Sequence, residues 1–250
     1  MKPTFLILSG DGINCERETA NAFEQASASA QIVHINELLD NPTILNNFSG
    51  MALPGGFSFG DELGSGQILA LKIKHGLKNH FTNFVKNKKP IIGICNGFQV
   101  LTKLGILPFP GEDRAISLAT NNSGKFINSW ADLIVGKNTV CKWLCDIEET
   151  FALPVRHGEG RIVFKQNFEQ STFNRLQTNG QIALYYKNDL NGSYANIAGI
   201  CDPSGLIFGL MPHPEAYIFE ATSKTHNKNP LQNAVGLNVF KSIVKYLSQN

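Results

Sequence analysis

One segment of the chain has the residue types and spacing of a nucleophile at a sharp strand-to-helix turn. It reads Gly93-Ile-Cys95-Asn-Gly97-Phe-Gln99 and lies between a predicted strand and a predicted helix. Glycines on both sides of Cys95 allow the abrupt turn, and the start of the helix favours the thiolate, which is the nucleophilic form. Cys95 is therefore the candidate nucleophile. These features leave several hydrolase classes open, and a small buried cysteine at a strand end is the structural alternative.

A second segment contains a histidine whose backbone is restrained on both sides. Met211-Pro-His213-Pro-Glu215 directly follows a predicted strand, and the two prolines keep His213 out of helical geometry. An imidazole followed by a carboxylate two residues later could act as a general base oriented by that carboxylate. The alternative is that His213 only ends a strand and Glu215 is a solvated charge. Open α/β sheets place their sites at the carboxyl ends of strands, where Cys95 and His213 are both expected.

Two glycine-containing segments could supply backbone groups to such a site. The run Leu53-Pro-Gly55-Gly56-Phe-Ser follows another strand, and its glycines could aim N–H groups at a developing oxyanion. An ordinary tight turn is the alternative for this run. Arg156-His157-Gly158-Glu159-Gly160 fits either a binding loop or a plain hairpin turn. A single histidine such as His157 is more often a hydrogen-bonded structural residue than a catalyst.

The composition excludes several classes of function. The 250 residues are 42% hydrophobic and 17% charged, and 22 basic against 20 acidic residues give a net charge of +2, without any run of five like charges. This predicts a globular chain and disfavours binding to nucleic acid or to a membrane surface. No apolar stretch is long enough for a membrane span, and the N-terminal apolar run is too short for a secretory signal. The five cysteines are scattered, without zinc-site spacing, which predicts reduced thiols, a cytoplasmic location and no metal site.

The pattern of apolar residues predicts an open α/β fold. In the first half, strands at 5–8, 31–35, 50–53 and 90–94 alternate with helices at 16–29, 67–88 and 97–104. This alternation predicts a mostly parallel sheet with helices on both faces. Strand-like pieces at 116–119, 182–186, 195–201 and 206–210 are expected to extend the same sheet in antiparallel fashion, with a hairpin turn at Asp202-Pro-Ser-Gly205. An amphipathic helix at 231–247 closes the chain, and residues 1–250 are predicted to form one domain.

These segments together resemble the class I, or triad, glutamine amidotransferases. Gly-x-Cys-x-Gly with His-Pro-Glu marks the class, and the remaining motifs resemble those of the glutaminase subunits of phosphoribosylformylglycinamidine synthase in purine biosynthesis. The resemblance covers almost the whole chain, with matching segments at Gly12–Ala20, Pro54–Asp61, Gly93–Gln99, Asn121–Phe126, His157–Arg161, Asn191–Cys201 and Met211–Glu215. It implies a flavodoxin-like open sheet.

The resemblance also implies a role for each matching residue. Cys95 is expected to be the nucleophile, His213 its base and Glu215 the residue that orients His213. The Gly55-Gly56 loop and the residue after the nucleophile are expected to form the oxyanion hole, through backbone N–H groups of Gly56 and Asn96. The amino-acid end of the substrate glutamine is expected to be held by Gln99 and by the turn at Gly158 and Glu159.

The implied activity is hydrolysis of glutamine to glutamate and ammonia through a cysteine thioester. The ammonia would be supplied to a separate ATP-dependent synthetase that converts formylglycinamide ribonucleotide to formylglycinamidine ribonucleotide. The complex of the two could include a small third subunit. The chain has no phosphate-binding loop, so we expect no cofactor here and expect ATP and magnesium on the synthetase. The Tyr217–Gly236 segment, which matches nothing in the family, is the candidate docking contact for that partner.

Other functions remain open at this point. The chain could be a glutaminase that serves a different synthetase, or a peptidase or deglycase of the same architecture that does not require His-Pro-Glu. It could also be a catalytically silent regulatory or scaffold subunit. The presence of Cys95, His213 and Glu215 together argues against a silent subunit.

Overall fold

The computed structural model describes residues 2–225 and 229–249, so three residues of the Tyr217–Gly236 segment lie outside the described part. The strands are β1 (Thr4–Ser9), β2 (Ser29–His34), β3 (Gly50–Leu53), β4 (Ile91–Ile94), β5 (Ile116–Thr120), β6 (Ile127–Val135), β7 (Thr150–His157), β8 (Glu159–Phe164), β9 (Ile182–Tyr186), β10 (Ile197–Cys201) and β11 (Ile207–Leu210). The helices are α1 (Glu16–Gln25), α2 (Ile35–Asp40), α3 (Gln67–Gly76), α4 (Lys78–Lys86), α5 (Asn96–Lys103), α6 (Glu169–Thr178) and α7 (Val235–Gln249).

The main sheet has the strand order β2-β1-β3-β4-β11-β10-β9-β6-β7. The strands from β2 to β11 in this order pair in parallel, and those from β11 to β7 pair antiparallel. Strands β3, β4 and β11 are buried along their whole length, which explains why they read as continuous apolar runs. The predicted fold class, an open and mostly parallel α/β sheet extended by antiparallel strands, is confirmed.

The direction of the chain reverses between β1 and β3, and this places the carboxyl ends of several strands around one crevice. The connection from β1 through α1 runs outward to β2, whereas the connection from β3 through α3 and α4 runs the other way to β4. Because parallel crossovers are right-handed, the two sets of helices cover opposite faces. The carboxyl ends of β1, β3, β4 and β11 are therefore neighbours, at the position where open α/β sheets bind ligands.

Parts of the chain differ from the sequence predictions. The single helix predicted over 67–88 is divided at Leu77 into α3 and α4, because Gly76 ends α3 where the chain packs against Leu39. The strand at 116–119 does not extend the main sheet, since β5 pairs only with β8 in a separate two-stranded sheet. The sequence patterns do not predict strands β6 to β8 or helix α6. Exposed polar residues interrupt the apolar pattern of β6, β7 and α6, whereas β8 has none and is only six residues long.

One face of the sheet is closed by a cluster of aromatic rings. Phe5 of β1 stacks on Phe23 of α1 with centroids 4.1 Å apart, and Phe23 meets Phe240 of α7 edge to face at 5.0 Å. Trp143 packs against both Phe5 and Phe23, and its indole N–H donates to the Leu206 carbonyl at 2.8 Å. Phe23 therefore connects the first strand, the first helix and the last helix.

None of the helices within the described ranges has the combined length and apolar character needed to cross a membrane.

We expect Phe23→Ala to lower the free energy of unfolding by about 3–5 kcal/mol, because it opens a cavity at the centre of this ring cluster. Phe168→Ala is the matched control, since its ring is 54% exposed, and we expect a change below about 1 kcal/mol. Denaturant unfolding of the two variants measures both values. Equal losses in the two variants would contradict a central role for Phe23.

Candidate active site

Cys95 lies on an elbow whose geometry depends on its two flanking glycines. It stands between β4 and α5 with φ 51° and ψ −105°, a conformation that is strained for a residue with a side chain. A Cβ added at Gly97 would lie 1.9 Å from the Leu53 carbonyl oxygen, and one added at Gly93 would lie 2.7 Å from the Gly97 carbonyl oxygen. Neither position can hold a side chain. The Cys95 side chain is buried, and its Sγ lies 3.6 Å from the Arg156 carbonyl oxygen.

His213 and Glu215 form a buried hydrogen-bonded pair. Nδ1 of His213 and Oε1 of Glu215 are 2.6 Å apart, and the side chains are 3% and 1% exposed. The backbone N–H of His213 donates to the Pro154 carbonyl at 2.8 Å, which ties the segment after β11 to β7. Because Nδ1–H faces the carboxylate, Nε2 is the nitrogen that remains available for proton transfer, and it has no hydrogen-bond partner within the described residues.

The Glu215 carboxylate determines the charge state of this imidazole. Burial is the largest single influence on the pKa of His213 and lowers it, but the Glu215 charge and the hydrogen-bonding neighbours of the ring together outweigh burial and hold that pKa well above its usual range. The nearby sulfur atoms of Cys15 and Cys95 act in the same direction. His213 is therefore suited to stabilise a thiolate as an imidazolium and to give a proton to a leaving group.

The nucleophile and the imidazole meet at Gly55. A Cβ added at Gly55 would lie 2.8 Å from Cε1 of His213 and 3.5 Å from Cβ of Cys95, so only a glycine allows both side chains to come this close. They line a cavity of about 440 Å³, whose walls also include Cys15, Gly56, Gln99, Gly158 and Glu159. Gly55, Asn96 and Glu215 are outside the wall but contact residues that form it.

The backbone N–H groups of Gly56 and Asn96 are the candidate donors to an oxyanion at Cys95. Gly56 forms an isolated antiparallel bridge with Ile13, but the bridge hydrogen bonds are donated by the neighbouring Phe57 and Asn14. The hydrogen bonds of this bridge therefore do not use the backbone N–H of Gly56. Asn96 begins α5, so its N–H is one of the unpaired donors at the helix start. This geometry allows the oxyanion hole that the resemblance implies.

Gln99 and Glu159 contact each other at the wall of the cavity. Nε2 of Gln99 donates to the Glu159 carbonyl at 2.6 Å, and the Glu159 carboxylate accepts from the Ser65 hydroxyl at 2.7 Å. Gly158 lies between β7 and β8, which pair with β6 and β5 respectively and not with each other. The segment is therefore not a plain hairpin, and it carries the chain from the main sheet to the small sheet beside the cavity.

His157 is held in one tautomer by Asn121. The Asn121 amide nitrogen donates to the His157 and Lys125 carbonyls at 2.8 and 2.9 Å, so the amide oxygen must face Nδ1 of His157, 3.0 Å away. Nδ1 is then the protonated nitrogen. Burial lowers the pKa of His157 to about 4, and the charge on His213 adds to this shift. The cavity wall therefore contains one neutral histidine, as the sequence predicted for a structural residue.

The sequence patterns did not assign Cys15 or Asp61 to the site. Cys15 follows β1, and its Sγ lies within 4.8 Å of ligand atoms of His213 and Glu215. Burial raises the pKa of the Cys15 thiol, so it is present mainly as the neutral form. These three groups could hold a metal ion, but Glu215 is already bonded to Nδ1 of His213, and we assign His213 and Glu215 to the triad with Cys95. The location of Cys15 in the connection between β1 and α1 is the signal that could have found it.

Comparison with known protein families gives a match along nearly the whole chain. The model of the CobB/CobQ-like glutamine amidotransferase domain matches residues 2–247. Phosphoribosylformylglycinamidine synthase subunit PurQ of Methanococcus maripaludis is 37% identical, with 99% of this chain and 98% of the relative covered. The protein of the same name from Dehalococcoides mccartyi is 40% identical, with 98% and 97% covered.

Solved structures give the same result. A chain in the structure of PurLQS from Thermotoga maritima superposes with a TM-score of 0.78 at 32% identity, covering 99% of this chain and 100% of that one. A glutamine amidotransferase from Thermotoga maritima has a TM-score of 0.55 at 16% identity, with 86% of this chain and 77% of that one covered. The second likeness concerns the fold alone.

The low pKa of His157 predicts a loss of stability in acid. The unfolded histidine binds a proton below about pH 6.5, whereas folded His157 stays neutral until about pH 4. The contribution of neutral His157 to the free energy of unfolding is thus complete above pH 6.5 and is lost as the pH falls. Between pH 7.5 and pH 5 the loss is about 2 kcal/mol. We expect His157→Gln to remove this part of the pH dependence in denaturant unfolding.

His75→Gln is the control for this experiment, because His75 is exposed. The raised pKa of His213 changes stability with pH in the opposite direction. This effect is present in wild type, His157→Gln and His75→Gln, so it cancels when they are compared. An unchanged pH dependence in His157→Gln would show that His157 is not held neutral in the folded chain.

Proposed function

The chain belongs to the CobB/CobQ-like glutamine amidotransferase family, and we propose that it is the glutaminase subunit of phosphoribosylformylglycinamidine synthase. The observation that carries this proposal is the meeting of Cys95, on its strained elbow, with the buried His213–Glu215 pair at one cavity. The relatives that match along their whole length have this function by name. A silent scaffold would not require a nucleophile, an oriented base and two free N–H donors in one place.

Glutamine hydrolysis at this site begins with attack of the Cys95 thiolate on the side-chain amide carbon. The carbonyl oxygen becomes an oxyanion, which the N–H groups of Asn96 and Gly56 stabilise. The protonated His213 then gives its proton to the leaving nitrogen, and ammonia departs as the C–N bond breaks. Glu215 holds the ring in the required orientation throughout. The product of this half-reaction is a glutamyl thioester on Cys95.

The second half-reaction releases glutamate. Neutral His213 takes a proton from water, the resulting hydroxide attacks the thioester carbonyl, and the same two N–H groups stabilise the second oxyanion. Collapse of this intermediate breaks the C–S bond and restores the thiolate and imidazolium. Gln99 and the turn at Gly158 and Glu159 border the cavity, and we assign them the amino-acid end of glutamine.

The ammonia is used by a separate synthetase, which converts formylglycinamide ribonucleotide to formylglycinamidine ribonucleotide in purine biosynthesis. We propose that the synthetase binds ATP and magnesium and that this chain needs no cofactor. We also propose a small third subunit in the complex and a cytoplasmic location. The PurLQS structure that this chain resembles supports an assembly of this kind.

We expect Cys95→Ala to abolish glutamine-dependent synthesis in the reconstituted complex, with a loss on the order of 10⁴-fold or more. Synthesis with ammonium as the nitrogen source is expected to continue, because only the glutaminase step needs the thiol. Glutamate release and formylglycinamidine ribonucleotide formation measure the two steps. Cys145→Ala is the control, since this thiol is free and exposed. Glutaminase activity near wild type in Cys95→Ala would refute the proposed nucleophile.

A further inference from the structure

The side chain of Asn96 is the centre of a buried hydrogen-bond network that is separate from the triad. Its amide oxygen accepts from the Ser58 backbone N–H at 3.1 Å, two residues beyond Gly56. Its amide nitrogen donates to Oδ1 of Asp61 at 3.1 Å and to Oε1 of Gln99 at 2.9 Å. The residue that follows the nucleophile therefore holds the Gly56 loop through its side chain, while its backbone N–H faces the oxyanion position.

The direction of every hydrogen bond in this network is determined at its two ends. A carboxylate only accepts, so the NH2 group of Asn96 must face Asp61, and its oxygen must face Ser58. At the other end, the Glu159 carbonyl also only accepts, so the NH2 group of Gln99 faces Glu159 and its oxygen faces Asn96. Ser58 and Gln99 alone would keep the Asn96 amide in this orientation, so what the carboxylate adds is the bond that joins Asn96 to the loop at Asp61.

The loop that this network holds has a strained backbone. Phe59 and Asp61 both have φ of 54°, in the left-handed region that residues with side chains adopt at a cost of about 1–3 kcal/mol each. Oδ1 of Asp61 also accepts from the Gly66 N–H at 3.0 Å, directly before α3. Asp61 thus ties the loop at both ends, to the elbow through Asn96 and to the start of α3 through Gly66.

We propose that Asp61 is a positioning residue of the glutaminase reaction, which acts by tying the loop after Gly56 to Asn96 and to the start of α3 and thereby placing the Gly56 N–H at the oxyanion. The inference rests on the proposed glutaminase function. The oxyanion is present only in the transition states and intermediates, so a misplaced Gly56 N–H affects turnover more than glutamine binding.

The test is Asp61→Ala in the reconstituted complex, which removes the oxygen that accepts from both Asn96 and Gly66. We expect kcat for glutamine to fall about 10- to 100-fold and KM to change less than about threefold. Ammonium-dependent synthesis is expected to remain. Glu62→Gln is the matched control, because it removes one negative charge from the neighbouring exposed position and is expected to keep wild-type kcat.

Alkylation of Cys95 by iodoacetamide, followed by peptide mass spectrometry, distinguishes positioning from a structural effect. This displacement at a saturated carbon forms no oxyanion, so its rate reports only on the thiolate. We expect Asp61→Ala and wild type to be alkylated at equal rates. Wild-type kcat in Asp61→Ala, or alkylation slowed by the same factor as kcat, would overturn the proposal.

The variant Asn96→Asp provides a second test that does not depend on how well Asp61→Ala folds. It places two carboxylates face to face, and we expect a larger loss of kcat than in Asp61→Ala. In the double variant Asp61→Asn with Asn96→Asp, the new amide can donate to the new carboxylate, and we expect at least threefold recovery over Asn96→Asp. No recovery would overturn the role of Asp61. Wild type without any glutamine-dependent activity would instead refute the proposed function and this inference together.

Discussion

The close approach of the elbow to the end of β3 is the contact on which the rest of the site depends. Gly97 lies so near the Leu53 carbonyl that no side chain fits between them. This approach brings the turn after β4 against the loop that begins at Pro54, and Gly56 and Cys95 line the same cavity. The strained backbone of Cys95 is held by the same packing. The elbow and the Gly55-Gly56 loop are therefore positioned by one backbone contact.

Two buried histidines share the cavity wall but have opposite charge states. His213 is paired with the Glu215 carboxylate, and this charge together with the hydrogen bonds of the ring outweighs the cost of burial. His157 is bonded to the neutral Asn121 amide, so burial is not compensated and the imidazole stays uncharged. The charge of the neighbouring group, more than the depth of burial, decides which histidine can carry a proton in the reaction.

The site is built from segments that different parts of the fold contribute. Cys15, Gly56, Cys95 and His213 follow β1, β3, β4 and β11, which are neighbours in the sheet. The remaining wall comes from β7 and β8, where the chain passes from the main sheet to the small one at Gly158. This second wall is tied to the triad, because the His213 N–H donates to the Pro154 carbonyl of β7 and Cys95 Sγ lies 3.6 Å from the Arg156 carbonyl oxygen.

The sequence by itself determined the sheet class, the elbow and the His213–Glu215 turn, because each depends on local patterns: apolar runs, paired glycines and flanking prolines. The glutaminase interpretation came from the resemblance of these motifs to a family. The sequence failed to predict β6 to β8 and α6, because tertiary packing and not the local pattern decides which of their residues are buried. It also could not assign Cys15 to His213 or Asp61 to Asn96. These pairs are 198 and 35 residues apart, and only the order of the strands brings them together.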